Sequence, residues 1–241
     1  MRIDVWSDVV CPWCYIGKRR LEEALAESGE QAEIVWHSFQ LDPSSRNDDE
    51  RDLPTRLGAK YGGGREFGLK ANAHVTGVAA EAGIEFHLDQ AKAVNTVDAH
   101  RVLHLARELA EAGEVPADTQ GRLKERYLRG YFTEGLPMGD HATLTRLAVE
   151  VGLPGVRVSE VLAGTAYADD VEADQAQALA YGANGVPFFV IDQKYGVSGA
   201  QPVEVFREGL RRARADRQPV TLITAPGGAD AEACGPDGCP I

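Results

Sequence analysis

Four cysteines carry most of the chemistry legible in this chain. They fall in two close pairs, Cys11/Cys14 and Cys234/Cys239. Cys11-Pro12-Trp13-Cys14 follows a strand-like segment and opens a helix-like one. A C-x-x-C at such a junction is a redox signature with a physical cause. Unpaired N–H groups at a helix N-terminus create positive potential, which predicts a lowered pKa and a thiolate at Cys11. Cys14 comes one turn later, placed to attack a mixed disulfide formed by Cys11. Pro12 suits the first turn, where its missing N–H has no partner to lose. Three plainer readings stand beside this one: an inert buried pair, half of a zinc site, or an incidental spacing. Against zinc, the other two cysteines lie far away in a Gly- and Pro-rich tail.

In that tail, Pro236-Asp237-Gly238 is a turn sequence between Cys234 and Cys239. A local disulfide there is sterically reasonable. The tail from Arg217 spans ~20–25 Å if flexible, which brings the pair within reach of Cys11. Three readings are open: an accessory redox pair relaying its disulfide to Cys11–Cys14, idle cysteines, or a soft-metal site at Cys234 and Cys239.

The elements that must position Cys11 are read from periodicity. Residues 2–7 predict a strand, 11–27 a helix and 33–41 a buried strand, which together make a βαβ unit. A polar loop over 42–52 leads into a long helical region. Its clearest helices are 95–112, capped by Asn95 or Thr96, 118–132 and 141–151. A helix near 168–181 follows, then strands at Phe188–Ile191 and Tyr195–Ser198 joined by a tight turn, then a helix ending near Arg217. The order predicts an α/β fold over 1–45 and 166–217, interrupted by an all-helical insertion at 46–165. Residues 218–241 read as a flexible tail, too poor in apolar residues to fold alone.

Val186-Pro187 opens the third strand, where proline loses no ladder hydrogen bond. An X–Pro bond also admits the cis form, which leaves the Val186 backbone free to pair with an extended substrate. Among the other residues, His37 reads as a satisfied core histidine, Trp6 as core and Trp13 as exposed. His74, His100 and His104 read as structural or solvated, because the His100/His104 spacing lacks the H-E-x-x-H context of a metal helix. Asp8 reads as a helix cap or proton relay, and Gly62-Gly63-Gly64 as a linker.

Composition excludes several classes. The 241 residues carry a net charge of −12, which disfavours nucleic acid as a partner. No apolar run of ~18 residues exists for a membrane span. The first residues lack the apolar stretch of a secretory leader, so the expected compartment is the cytoplasm, where disulfides tend to be transient and catalytic.

Five motifs occur together and in order: C-P-W-C-Y-I-G at 11–17, N-T-V-D-A-H-R at 95–101, Y-F-T-E-G at 131–135, G-V-P-F-F-V-I-D at 185–192 and K-Y-G-V-S-G-A-Q at 194–201. This pattern resembles the DsbA family of thioredoxin-fold oxidoreductases, in its FrnE-like branch. The resemblance implies a thioredoxin fold with a helical insertion, Cys11 as nucleophile, Cys14 as resolving thiol and Pro187 as a cis-proline facing them. It implies protein substrates with thiols or disulfides, a redox recycling partner and no organic cofactor. The related 2-hydroxychromene-2-carboxylate isomerases and kappa-class glutathione transferases have serine at the Cys11 position. They keep glutathione binding open as an alternative, with a glutathione-dependent isomerase or transferase acting on a small molecule. A metal-stress binding protein or chaperone is the other. DsbA proteins of the periplasm carry a histidine between the cysteines; Trp13 here implies a less acidic Cys11.

Overall fold

The computed structural model describes residues 1–217; the expectations for Cys234 and Cys239 lie outside the described residues. Strand β1 (Arg2–Ser7) leads into helix α1 (Pro12–Ser28) and strand β2 (Glu33–Ser38). A helical block follows: α2 (Leu53–Tyr61), α3 (Gly64–Glu81), α4 (Val97–Glu111), α5 (Thr119–Phe132), α6 (His141–Glu150) and α7 (Gly155–Ala163). The chain returns through α8 (Ala168–Ala180), β3 (Phe188–Ile191), β4 (Tyr195–Ser198) and α9 (Val203–Ala215). The sheet order is β2-β1-β3-β4, with β2 parallel to β1 and the other pairings antiparallel. This is a thioredoxin-type α/β fold. Among the described residues no helix is long and apolar enough to cross a membrane.

The two-residue period of β1 sorts its side chains between two layers. Ile3 and Val5 pack with Leu21 of α1 and with Phe206 and Leu210 of α9. Trp6, on the opposite face, packs with Ala178 of α8 and with Phe188 and Val190 of β3. Its indole N–H donates to the Asp174 carbonyl at 2.8 Å. The β3–β4 turn uses Asp192 and Gln193 at φ 46° and 55°, the left-handed backbone that a tight hairpin demands. The helical block forms one apolar cluster that includes Val9, Tyr15 and Ile16, so it is packed directly onto the start of α1.

One expectation is corrected and another made specific. The 33–41 strand ends at Ser38, where pairing with β1 stops. The Gly62–Gly64 stretch is a tight turn within a helical hairpin, with Gly62 and Gly63 at φ 83° and 78°. Helices α2 and α3 approach so closely that a Cβ at Gly68 would stand 2.1 Å from the Pro54 carbonyl oxygen. Glycine content here serves packing, and it thins the apolar stripe by which a helix is read from sequence.

Candidate active site

Cys11 is the N-cap of α1, with extended backbone at φ −92° and ψ 113°, and Pro12 occupies the first helical position. The turn is closed by the Cys14 N–H donating to the Cys11 carbonyl at 3.0 Å. Both cysteines are free thiols and buried. The Val186–Pro187 peptide is cis, and the Cys11 thiol donates to the Val186 carbonyl at 3.5 Å. The sequence supplies this approach through Gly17: a Cβ there would lie 2.9 Å from Pro187 Cγ and 3.1 Å from Phe189 Cζ. Glycine thus lets the proline ring seat against α1. Trp13 is 36% exposed between the cysteines, with its ring centroid 6.1 Å from that of His74 on α3.

The charge pattern departs from expectation. The Cys11 thiol is pushed well up, by its hydrogen bond to Cys14, by burial and by the Asp8 charge. Burial also raises Cys14, but the hydrogen bond from Cys11, the Lys124 charge and the Ser7 hydroxyl outweigh it, and its pKa is lowered. Of the two thiols, Cys14 is therefore the more readily ionised. The helix N-terminus alone suggested the reverse.

Three further residues surround the pair. The Asp8 carboxylate does not cap α1. It accepts the Leu41 N–H at 2.8 Å and faces His100 Nε2 at 3.3 Å. His100, expected to be structural or solvated, is 1% exposed beside Asp8, and burial pulls its pKa down. A neutral imidazole donating from Nε2 to Asp8 follows. Lys124 of α5 is fully buried, and its ammonium donates to the Ser7 carbonyl at 3.2 Å. One signal pointed to it: Gln120, Leu123, Lys124, Tyr127, Leu128 and Tyr131 form a single helical stripe, and a lysine inside a buried stripe needs a reason. His104 and His37 both meet Asp174 of α8, so the histidines four apart on α4 face different carboxylates.

A cleft of about 1330 Å³ opens between Cys11, Trp13 and the α2–α3 hairpin. Its apolar wall includes Val10, Leu57, Phe67 and Val75, and Arg56 and Lys60 line it as well.

Residues 2–211 match the family described as DSBA-like thioredoxin domain. The chain belongs to that family. A probable DsbA oxidoreductase from Streptomyces coelicolor is similar over 100% of this chain and 99% of its own, at 42% identity and a TM-score of 0.83. YwbO of Bacillus subtilis (strain 168), an uncharacterized protein, is 28% identical over 217 residues, 87% of this chain and 96% of that protein. The cytosolic disulfide reductase DsbM from Pseudomonas aeruginosa, whose structure holds GSH, shares the fold at 16% identity. Its TM-score is 0.61, with 89% of this chain and 100% of that one covered. Membership places the chain among DsbA-like thiol oxidoreductases.

Proposed function

We propose that the chain is a thiol–disulfide oxidoreductase acting on cysteines of protein substrates, with Cys11 as the exchanging sulfur and Cys14 as the resolving one. The placement of Cys11 carries this reading: first residue of α1, against the Val186 carbonyl before a cis-proline, at the mouth of the cleft. In the reducing direction Cys11 passes its proton to Cys14 and attacks a substrate disulfide. A Cys11–substrate bond forms, the substrate S–S bond breaks, and one substrate thiolate leaves. Cys14 then loses its proton and attacks Cys11. The Cys11–Cys14 bond forms and the second substrate thiolate leaves. The substrate gains two electrons and the pair loses two. The reverse sequence oxidises a substrate, and a redox recycling partner resets the pair. The sulfurs carry the electrons, so no organic cofactor is required. Trp13 offers an exposed ring for substrate to stack on, and the Val186 backbone offers an edge for an extended segment.

The test is a trap. With a disulfide-bonded protein substrate, Cys14→Ser is expected to accumulate a covalent Cys11 adduct while wild type turns over. Mass spectrometry of the adduct identifies its partner. A peptide containing Cys234 or Cys239 in that adduct supports a relay to the accessory pair. Neither adduct nor turnover rejects the exchange reading.

A second reading has its own observation. Arg56 and Lys60 lie one turn apart on α2, line the cleft, and form no ion pair with a carboxylate among the described residues. Arg56 Nη2 donates to the Ala91 carbonyl and Lys60 Nζ to the Leu41 carbonyl, each at 3.0 Å, while buried Arg56 Nε has no partner. A small thiol bearing carboxylates, such as glutathione, supplies the missing anion. Reversing both charges, Arg56→Glu with Lys60→Glu, is expected to slow reaction with oxidised glutathione about tenfold, the equivalent of about 1.4 kcal/mol. Reaction with uncharged hydroxyethyl disulfide should be unchanged. Equal slowing of both rejects this reading.

A further inference from the structure

The chain has four asparagines, and three of them are held in place. The amides of Asn47 and Asn95 donate to the Gly139 and Pro43 carbonyls at 3.3 and 2.9 Å. Asn72 lies within α3, whose backbone is fixed by its own hydrogen bonds. The fourth, Asn184, falls between α8, which ends at Ala180, and β3, which starts at Phe188. It is exposed, and Gly185 follows it. Neither its amide nor the Gly185 N–H enters a hydrogen bond among the described residues. It also stands on the wall of the cleft that holds Cys11, two residues before the Val186 carbonyl that accepts the Cys11 thiol.

An asparagine amide reacts with the next backbone nitrogen when three conditions meet. The following residue must leave that nitrogen open, the backbone must be free to turn, and water must reach the site. Gly185 meets the first, since it has no side chain and a Cβ placed there would meet nothing within 4 Å. Asn184 and Gly185 meet the second, since they belong to neither a helix nor a strand. The exposure of Asn184 meets the third.

We propose that Asn184 is a self-modification site: its amide closes onto the Gly185 nitrogen, opens again as aspartate or isoaspartate, and the product weakens the cysteine site beside it. The Gly185 nitrogen gives up its proton and bonds to Cγ of Asn184. The Cγ–Nδ2 bond breaks, and ammonia leaves with that proton. The cyclic imide so formed takes up water. Breaking its bond from nitrogen to Cγ gives aspartate on an unchanged main chain. Breaking its bond from nitrogen to the backbone carbonyl carbon gives isoaspartate, whose main chain runs through the side chain. Nothing is oxidised or reduced, and water is the only co-reactant. Either product replaces a neutral amide by a carboxylate.

Two consequences reach Cys11. The new charge joins Asp8 on the wall of the same cleft, and a like charge disfavours a thiolate. Isoaspartate also lengthens the main chain by one methylene between fixed anchors. On one side Ala183 is buried, with its N–H donating to the Ala178 carbonyl at 3.0 Å. On the other, Phe188 pairs with Trp6 in the sheet. The added length falls on Gly185 and Val186, and it displaces the Val186 carbonyl from the Cys11 thiol. The modification itself stands apart from the exchange reading; only its consequence for turnover rests on that reading.

The experiment ages the full wild-type chain at neutral and mildly alkaline pH and maps its peptides by mass spectrometry. The peptide holding Asn184 should gain the mass of an amide-to-carboxylate change, separate into two products, and accept enzymatic methylation of isoaspartate. The conversion should quicken as pH rises, because the attacking nitrogen must lose its proton. Any isoaspartate at Asp237-Gly238 arises without that mass gain, so the two positions are told apart. Gly185→Ala, whose methyl group crowds the nitrogen, should lose the conversion over the same period. Alkylation of Cys11 by iodoacetamide, read at its own peptide, should slow about threefold to tenfold as wild type converts, and should hold steady in Gly185→Ala. An Asn184 peptide that keeps its amide in the aged, folded chain overturns the proposal. So does complete conversion with Cys11 alkylation unchanged. Neither result touches the exchange reading, which fails instead if fresh wild type does not turn over. If Gly185→Ala does not fold, the wild-type time course decides alone.

Discussion

Replacing Cys11 by serine is expected to reduce exchange with a disulfide-bonded protein by about a thousandfold or more, the scale on which an enzyme loses its nucleophile. A serine hydroxyl ionises far above the pH at which a thiol does, and an alkoxide makes no stable bond to a substrate sulfur. The geometry separates this loss from a loss of fold. Cys11 is the N-cap of α1 and makes no side-chain cap of its own. Serine is among the preferred residues at that position. Its hydroxyl has a ready acceptor in the Val186 carbonyl, which the Cys11 thiol uses at 3.5 Å. Thermal unfolding of Cys11→Ser should therefore lie at or above wild type while turnover vanishes. Turnover within tenfold of wild type would show that Cys11 is not the exchanging sulfur.

The candidate site and the scaffold were legible in the sequence to different depths. The cysteine pair, the strand before it, the helix it opens and the hairpin after Pro187 are local patterns. Each is one contiguous stretch of chain, so periodicity and turn chemistry suffice to read them. Helices α2 and α3 resisted because Gly58 and Gly68 serve a close helix approach, Gly62 and Gly63 serve the tight turn between them, and all four dilute the apolar stripe. The charged layer beneath the cysteines was hidden for a different reason. Asp8, His100 and Lys124 come from a loop and two helices separated by the packing of the helical block onto α1. Their partnership is tertiary, and only the anomaly of a lysine in the α5 stripe announced it. The same reason explains the inverted order of the two thiols. A helix N-terminus is visible in sequence; a buried lysine behind the second cysteine is not.

Asp174→Ala is expected to destabilise the chain by about 3–5 kcal/mol near pH 5.5, the cost of removing one partner from a buried ion pair. Asp174 of α8 faces His37 Nδ1 at 2.7 Å and His104 Nε2 at 3.1 Å, and accepts the Ser38 N–H at 2.7 Å. The other nitrogen of His37 meets Asp4 Oδ1 at 2.8 Å. Carboxylates only accept, so both ring nitrogens donate and His37 is an imidazolium. Burial opposes that charge, but hydrogen bonds to Asp174 and Asp4 prevail and its pKa is raised. Burial likewise opposes the Asp174 carboxylate, and its bonds to His104, His37 and Ser38 hold it well below the ordinary value. The two shifts work in opposite directions with pH. A lowered Asp174 contributes stability above the unfolded carboxylate value of about 4, and loses it as pH falls through the folded value. A raised His37 contributes fully below the unfolded imidazole value of about 6.5, and loses it as pH rises through the folded value. The cluster is thus strongest between roughly pH 4 and 6.5. Urea unfolding across pH should show the gap between wild type and Asp174→Ala widest in that window and narrowing on both sides. A gap that does not change with pH would mean that α8 is held to β2 by apolar packing around Trp6 alone, and that the buried charges contribute nothing to docking this layer on the sheet.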